Sequence, residues 1–428
     1  MIRTLTLLAL AGSLTGLLAA EGAAPRTLTL AETVQLSAAT TPVAVSRLEA
    51  AIAKAGYGAE RANLRPNLSV TAGASRANAW TNVGNEAQRI APSNSFDTRL
   101  RVGQALINLE AWHRTTAADR QVALADAQTT QSLEESAAVA GAAYVTLSSA
   151  QALELVRKDE LRLANELLTL AKAQVKAGVA EAIAETRAAS RVEVATSDLA
   201  SAVGAVRRAV IALALALDLN PADPLLAGET LGDTLAASIQ PEADANAQAQ
   251  RQRPELRVSA ETLAYLEASQ LAAQGARLPR LDGFADGGVG GPAVDSTETT
   301  WRVGVGLTIP LVDGNIYRDD QASLRVTQQR LRQIVIANRI RSEVADAQAA
   351  VNTALSRLSS DRSRSALANE ELKQAQARFS AGVAGNLEVI SAQQNLTQAQ
   401  ESVVASTESL VQSRIRLAKA IGLATSLR

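Results

Sequence analysis

The chain has 428 residues with 42 basic and 43 acidic side chains, so its net charge is close to zero and gives no basic footprint for nucleic acid. The absence of cysteine excludes disulfides, thiolate metal sites and a cysteine nucleophile. A single histidine, His113, excludes a histidine-rich metal cluster. Only 3 Trp, 4 Tyr and 3 Phe accompany an apolar fraction of 47%, so alanine, valine and leucine must supply the apolar surface. We therefore expect close helix-on-helix packing, and neither an enzyme nor a bound cofactor or metal.

The N-terminal segment has the layout of a secretory signal peptide. Arg3 precedes an apolar run from Leu5 to Leu18, and small residues follow. This run is short for a membrane-spanning helix, which needs about 20 apolar residues. We assign residues 1–24 to the signal and expect an exported protein. Beyond it the longest apolar run is Ala209–Leu217, so membrane insertion of this chain would use strands.

The rest of the chain contains one unit twice. LAKAQVKAGVA at residues 170–180 matches KQAQARFSAGVA at residues 373–384, and upstream residues 95–112 match residues 299–315 at nearly the same separation. Landmarks in the same order at one spacing indicate a duplication.

Each unit is predicted to run helix, strand, strand, long helix, turn, long helix. We place repeat 1 at residues 25–217 and repeat 2 at residues 253–428. The proline-containing segment 218–252 between them is predicted to be a linker with at most short elements.

The predicted strand pairs lie at about residues 67–78 and 95–106 in repeat 1, and at about residues 281–289 and 299–311 in repeat 2. In the last of these, apolar residues alternate with polar or small ones along the whole strand. Period two over about ten residues is typical of a tilted transmembrane strand, with one face toward lipid and one toward water. A half-buried sheet in a soluble protein has the same alternation, so the pattern alone leaves both open.

Long helices are predicted for most of the remaining chain. Residues 109–177 contain no proline and a single glycine, and residues 316–381 contain neither. Gly178 and Gly382 follow directly, where a glycine commonly ends a helix before the chain turns back. In the final helix apolar residues recur every seven positions, the spacing of a coiled-coil seam. These residues are Val389, Leu396, Val403, Leu410 and Leu417.

Four strands cannot close a barrel, and an open sheet edge in lipid leaves backbone groups unpaired. Three copies would supply about twelve strands, which is within the range of known membrane barrels. The predicted fold is an α+β membrane protein: a trimeric transmembrane β-barrel with four strands per protomer, two per repeat, continued by a long antiparallel α-helical coiled-coil barrel. The alternatives are a soluble periplasmic coiled-coil adaptor or scaffold, and an exported enzyme, for which the sequence offers no catalytic cluster.

Several motifs point to one family. LRPNL at residues 64–68 and RLPRL at residues 277–281 precede strands, and VGLTIPLVDGN at residues 305–315 leaves the last strand. RFSAGVAGNLEVISAQQNLTQAQ at residues 378–400 has a partner, AQVKAGVAEAIAETRAAS, at residues 173–190. In these motifs and in the order of its elements, the chain resembles the TolC-like outer-membrane efflux proteins.

The resemblance implies an outer-membrane homotrimer with a long periplasmic helical tunnel. Such a channel is a passive exit duct in a tripartite efflux or type I secretion system. It docks on a periplasmic adaptor (membrane fusion) protein and receives substrates from an inner-membrane pump. In the family the turn after Ala-Gly lies at the periplasmic tip, where adaptors engage. By position, the resemblance assigns this role to Gly178, Val179, Gly382 and Val383.

The resemblance also implies a narrow entrance just beyond this turn. Glu388 matches the first acidic residue that lines the family's closed entrance, and Ser391 stands where a second acidic residue often lies. Glu185 flanks Ala184, the uncharged first-repeat counterpart of Glu388. Three symmetry-related Glu388 carboxylates near an axis would attract cations. The alternative is that Glu388 is a surface charge that stabilises the start of a helix.

Overall fold

We analysed a computed structural model of the chain, which describes six segments: residues 26–77, 80–83, 86–89, 93–237, 244–311 and 314–427. The predicted signal peptide, residues 1–24, lies outside the described residues.

The first half of the chain alternates short elements, strands and two long helices. They are β1 (Arg26–Leu28), α1 (Leu30–Ser37), α2 (Thr41–Ala62), β2 (Asn67–Ala77), β3 (Trp80–Val83), β4 (Glu86–Arg89), β5 (Ser93–Ile107), α3 (Leu109–Lys176) and α4 (Ala182–Ala216). The 68-residue helix α3 begins after Asn108, whose side-chain oxygen accepts a hydrogen bond from the Ala111 N–H at 3.0 Å.

The second half repeats this order after a linker. Its elements are β6 (Leu225–Ala227), α5 (Leu231–Ala237), α6 (Ala245–Gln252), α7 (Pro254–Gly275), β7 (Arg280–Gly291), β8 (Glu298–Thr308), α8 (Asn315–Ser380), α9 (Asn386–Ile421) and a 3-10 turn at Ala424–Ser426. Helices α2 and α7 each have 22 residues, α3 and α8 have 68 and 66, and α4 and α9 have 35 and 36. These matched lengths agree with a duplicated unit.

The strands β2, β5, β7 and β8 form one antiparallel sheet in that order. The two repeats meet inside this sheet, where β5 pairs with β7. Strands β2 and β8 are its edges, and among the described residues neither pairs with a further strand. The sheet of a single copy therefore stays open.

The helices form a layer whose order can be followed from one edge to the other. Near the sheet α2 packs on α3, α3 on α7, and α7 on α8; farther away α4 packs on α3, α3 on α9, and α9 on α8. The predicted heptad seam of α9 faces inward, since Val389, Leu396, Leu410 and Leu417 are buried. Helix α8 is thus one outer helix of the layer, and α2 and α4 form the other side.

The largest buried cluster lies where the N-terminal segment and the linker meet α3 and α4. Strand β1 pairs in parallel with β6, and Leu28, Leu30 and Leu225 of this region are fully buried. Leu427, near the C-terminus, is buried in the same cluster. The ends of the chain and the linker therefore help to hold the long helices together.

A carboxylate in α3 fixes the C-terminal turn. Glu134 is buried and accepts hydrogen bonds from the Ala424 N–H at 2.7 Å and from the Thr425 hydroxyl. A charged acceptor for buried donors makes a strong contact, and its loss leaves those donors unpaired.

Helices α3 and α4 each contain an 18-residue window that is long and apolar enough to cross a membrane by composition alone. Both helices are rich in alanine and pack on other helices of the layer. Alanine-rich helices that pack on other helices have the same length and apolar composition, so these windows do not indicate membrane spans.

Replacing Glu134 by alanine should lower the free energy of opening of the C-terminal turn by about 2 kcal/mol, because the Ala424 and Thr425 donors lose a buried charged acceptor. Faster digestion by a carboxypeptidase, together with faster amide exchange at residues 424–427, measures this. Glu135→Ala is the matched control, since Glu135 is exposed on the next position of α3. Equal digestion of both variants would contradict the role of Glu134.

Candidate functional site: the exposed sheet and the helical tips

One face of the four-stranded sheet is apolar and exposed. Leu68 and Val70 of β2 are 65% and 68% exposed, and the register places them opposite Val102 and Leu100 of β5. The face continues through β7 to β8, whose exposed apolar residues on this side are Trp301, Val303, Val305 and Leu307. A continuous exposed apolar face marks a contact with another protein or a membrane, and it matches the lipid-facing band of a membrane barrel.

The opposite face carries a charge network across three strands. Arg99 of β5 lies 2.7 Å from Asp97 on the same strand and 3.1 Å from Asp286 of β7. Arg302 of β8 lies 3.1 Å from the other carboxylate oxygen of Asp286, whose side chain is only 2% exposed. The alternation predicted from the sequence is confirmed, because it separates a polar face from an apolar one.

The two long hairpins reverse at glycines, as predicted. Gly178 and Gly382 adopt left-handed φ angles of 72° and 73°. In both repeats the glycine N–H and the following valine N–H donate to carbonyls of the last helical turn at 3.0 Å. Val179 and Val383 are 68% and 73% exposed, so the turn presents an apolar side chain to its surroundings in each repeat.

Two side-chain amides join the tips of the hairpins to each other. Asn386, buried at the start of α9, donates from Nδ2 to the Ala184 carbonyl of α4 at 2.8 Å. Gln174 of α3 donates from Nε2 to the Phe379 carbonyl of α8 at 3.3 Å. No sequence pattern indicated these contacts, which lie between segments about half the chain apart.

The candidate constriction residues lie on the helices that leave the turns. Glu388 is in the first turn of α9, and its Oε1 lies 3.3 Å from Nε of Arg378 on α8. Ser391 is exposed farther along α9, and Glu185 is half-buried in the first turn of α4. The Arg378 contact, which the sequence did not indicate, balances the charge of Glu388 within one copy.

A largely buried charge cluster joins the two hairpins farther along the helices. Arg157 of α3 lies 2.6 Å from Glu160 and 3.5 Å from Asp198 of α4, and it also contacts Glu401 of α9. Arg191 of α4 contacts the second oxygen of Glu160. Burial raises the pKa of Glu401, Arg157 opposes this shift, and the nearby carboxylates add to it. Two guanidinium groups here hold three carboxylates together.

A groove of about 330 Å³ lies between the hairpins near their tips. Its apolar lining includes Leu163, Leu167, Phe379 and Val389. Among the residues that the structure describes, no group of three or more His, Asp or Glu side chains is arranged to hold a metal ion.

Comparison with known proteins gives a consistent picture. The family model described as outer membrane efflux protein matches residues 35–218 and again residues 246–423. A search of curated proteins finds no match.

Solved structures share the fold. The Campylobacter jejuni CmeC outer membrane channel superimposes with a TM-score of 0.79 at 17% identity, covering 92% of this chain and 86% of that one. The outer membrane protein VceC of Vibrio cholerae gives 0.76 at 16% identity, with coverages of 92% and 96%. The open state of the Neisseria gonorrhoeae MtrE outer membrane channel gives 0.73 at 20% identity, with coverages of 92% and 89%.

Replacing Arg157 by methionine should lower the local stability of the helices around the charge cluster by about 3 kcal/mol, because Asp198 and Glu401 lose their guanidinium partner and Glu160 keeps only Arg191. Loss of Arg157 removes the guanidinium that opposes the upward pKa shift of Glu401, so the folded-state pKa of this carboxyl rises further above its unfolded value. The destabilisation should therefore be largest near pH 7 and shrink as the pH falls toward about 4.

Hydrogen exchange in α3, α4 and α9 measures this effect. Arg162→Met is the matched control: Arg162 lies farther along α3, and its ion pairs with Asp159 and Glu166 are exposed. A pH-independent loss, or equal effects of the two variants, would contradict the account of the cluster.

Proposed function

Because this chain belongs to the outer membrane efflux protein family, we propose that it is the outer-membrane exit duct of a tripartite efflux or type I secretion system. A signal at residues 1–24 would direct its export. The observation that carries the proposal is a sheet with one exposed apolar face, one polar face and two open edges, joined to a layer of long helices. In a soluble adaptor such an apolar face would remain exposed to water.

Three copies complete the barrel in this proposal. The outer edge of β8 in one copy pairs with the outer edge of β2 in the next, which gives about twelve strands. The helix layer supports the same arrangement, because β2 follows α2 and α8 follows β8. Both edges carry exposed apolar residues: Leu48 and Ile52 on α2, and Leu324 and Leu331 on α8. A head-to-tail contact that closes after three copies satisfies both edges at once.

The hairpin tips are proposed to dock a periplasmic adaptor that couples the duct to an inner-membrane pump. Val179 and Val383 at the turns, with Ile183 and Leu387 just after them, form an exposed apolar rim. The groove between the hairpins begins close to this rim and offers a further apolar surface. An elongated helical partner with apolar residues at its end fits these features.

Glu388, Ser391 and Glu185 are proposed to line the narrow entrance of the tunnel. In this arrangement three Arg378–Glu388 pairs lie around the axis, so the ring carries less net charge than three free carboxylates. Opening of the pairs would expose the carboxylates to passing ions.

The proposal as a whole is tested by the native mass and conductance of the detergent-extracted protein. We expect a trimer of about 130 kDa, three times the chain mass of 44.6 kDa less the signals. The same fraction should conduct ions in a planar bilayer. A soluble or non-conducting species would contradict the duct and leave the adaptor alternative.

Replacing Gly382 by valine should weaken adaptor binding and leave the trimer intact, because a β-branched residue is strained at a φ angle of 73°. Binding of the adaptor to the purified trimer measures the effect. Gly385→Ala is the control, since Gly385 has an ordinary φ angle of −78° and open space around it. Normal adaptor binding by Gly382→Val would remove this turn from the docking surface.

Opposite substitutions test the entrance. Glu388→Ala should lower the cation preference of the channel, because it leaves Arg378 without its partner. Arg378→Gln should raise that preference, because it frees the carboxylate. Reversal potentials in a salt gradient measure both, and an unchanged preference in both variants would place this pair away from the constriction.

A further inference from the structure

One arginine on the polar face of the sheet stands outside the charge network. Arg101 of β5 lies directly opposite Asp286 in the register, but its guanidinium lies over the ring of Phe284, 5.9 Å from the centroid. Arg302 lies 5.4 Å from the same centroid and also binds Asp286. Among the residues that the structure describes, Arg101 has no carboxylate within ion-pair distance.

The Phe284 ring is held as a fixed platform. The register places Gly103 and Gly304 on either side of Phe284. A Cβ atom on Gly304 would lie only 2.7 Å from the ring, so the ring lies across the bare backbone of β8. An aromatic ring packed on glycine stabilises a strand pair. Its face is then available to a guanidinium by a cation–π contact.

The charged side chains around Arg101 on the polar face leave a net positive charge. Asp97, Arg99, Asp286 and Arg302 balance one another in the network described above. Arg101 therefore adds one uncompensated positive charge per copy.

The other carboxylates of the polar face are occupied or distant. Asp282 pairs with Arg280 at 3.4 Å. Glu298 lies four residues from Arg302 along β8, about 13 Å at strand spacing, which is too far for an ion pair. Neither carboxylate therefore pairs with Arg101.

We propose that the three Arg101 side chains of the trimer form an anion-binding ring inside the barrel, which holds multivalent phosphate- or carboxylate-bearing solutes on their way out. This rests on the proposed shared barrel with its polar face inward. About twelve strands spaced 4.8 Å apart and tilted by about 40° give a radius of about 12 Å. That radius is close to the Debye length of about 10 Å at 0.1 M salt, so the field of three guanidiniums reaches across the lumen.

The ring is tested by block of the channel current in planar bilayers. Myo-inositol hexakisphosphate, a compact polyanion, is added in 0.1 M KCl to the side of the bilayer that lies opposite the helix layer, where the barrel opens. We expect voltage-dependent block of the unmodified channel and about tenfold weaker block of Arg101→Gln, because the ring charge is lost. The block should fade in 1 M KCl, where the Debye length falls to about 3 Å.

Two further variants make the test specific. Arg101→Lys keeps the charge and should keep most of the block. Arg76→Gln removes an exposed arginine from the apolar side of β2, where the register places it in line with Leu68 and Val70, and should leave the block unchanged. Equal block of Arg101→Gln and the unmodified trimer would overturn the ring and leave the duct standing. An unmodified protein that is monomeric or non-conducting would instead overturn the duct on which the ring rests.

Discussion

The unpaired backbone groups along the outer edges of β2 and β8 are the constraint on which the rest of the structure depends. In lipid those groups need hydrogen-bond partners, because no water is present to replace them. In the proposed trimer a second copy supplies them where β8 of one chain meets β2 of the next. The same placement would bring α8 of one chain beside α2 and α4 of its neighbour. Strand pairing and helix packing thus favour one and the same contact between copies.

Duplication built the chain, and divergence made its two halves different where they meet. Both repeats keep the left-handed glycine at the hairpin tip, because a single backbone conformation is required there. The contacts between the tips have no such symmetry. Asn386 and Gln174 form them, whereas Ala182 and Arg378 stand at the corresponding places of the other repeat. Each hairpin therefore contributes a different side chain to the joint, and the two are not interchangeable.

Local features could be predicted from the sequence because near neighbours determine them. The alternation around Trp301, the glycine turns at residues 178 and 382, and the seam of α9 each follow from a period or a backbone preference. The pairing of β5 with β7 and of β1 with β6 could not be predicted, since it joins segments more than a hundred residues apart. The same holds for the Arg157 cluster and the Arg378–Glu388 pair, because one charged residue on a long helix has many possible partners. Arg101 gave no signal either, since its partner Phe284 lies on the neighbouring strand β7 but nearly half the chain away in sequence.

The shared barrel is tested most directly by cross-linking its proposed seam, which the absence of native cysteine makes practical. A cysteine at Thr71 of β2 is combined in turn with one at Thr300, Gly306 or Thr308 of β8, all on the polar face. One combination should bring the two Cβ atoms to about 4 Å and give covalent dimers and trimers under oxidising conditions, while each single variant stays monomeric on a denaturing gel. A trimer in which no combination cross-links would contradict closure of the barrel through β2 and β8.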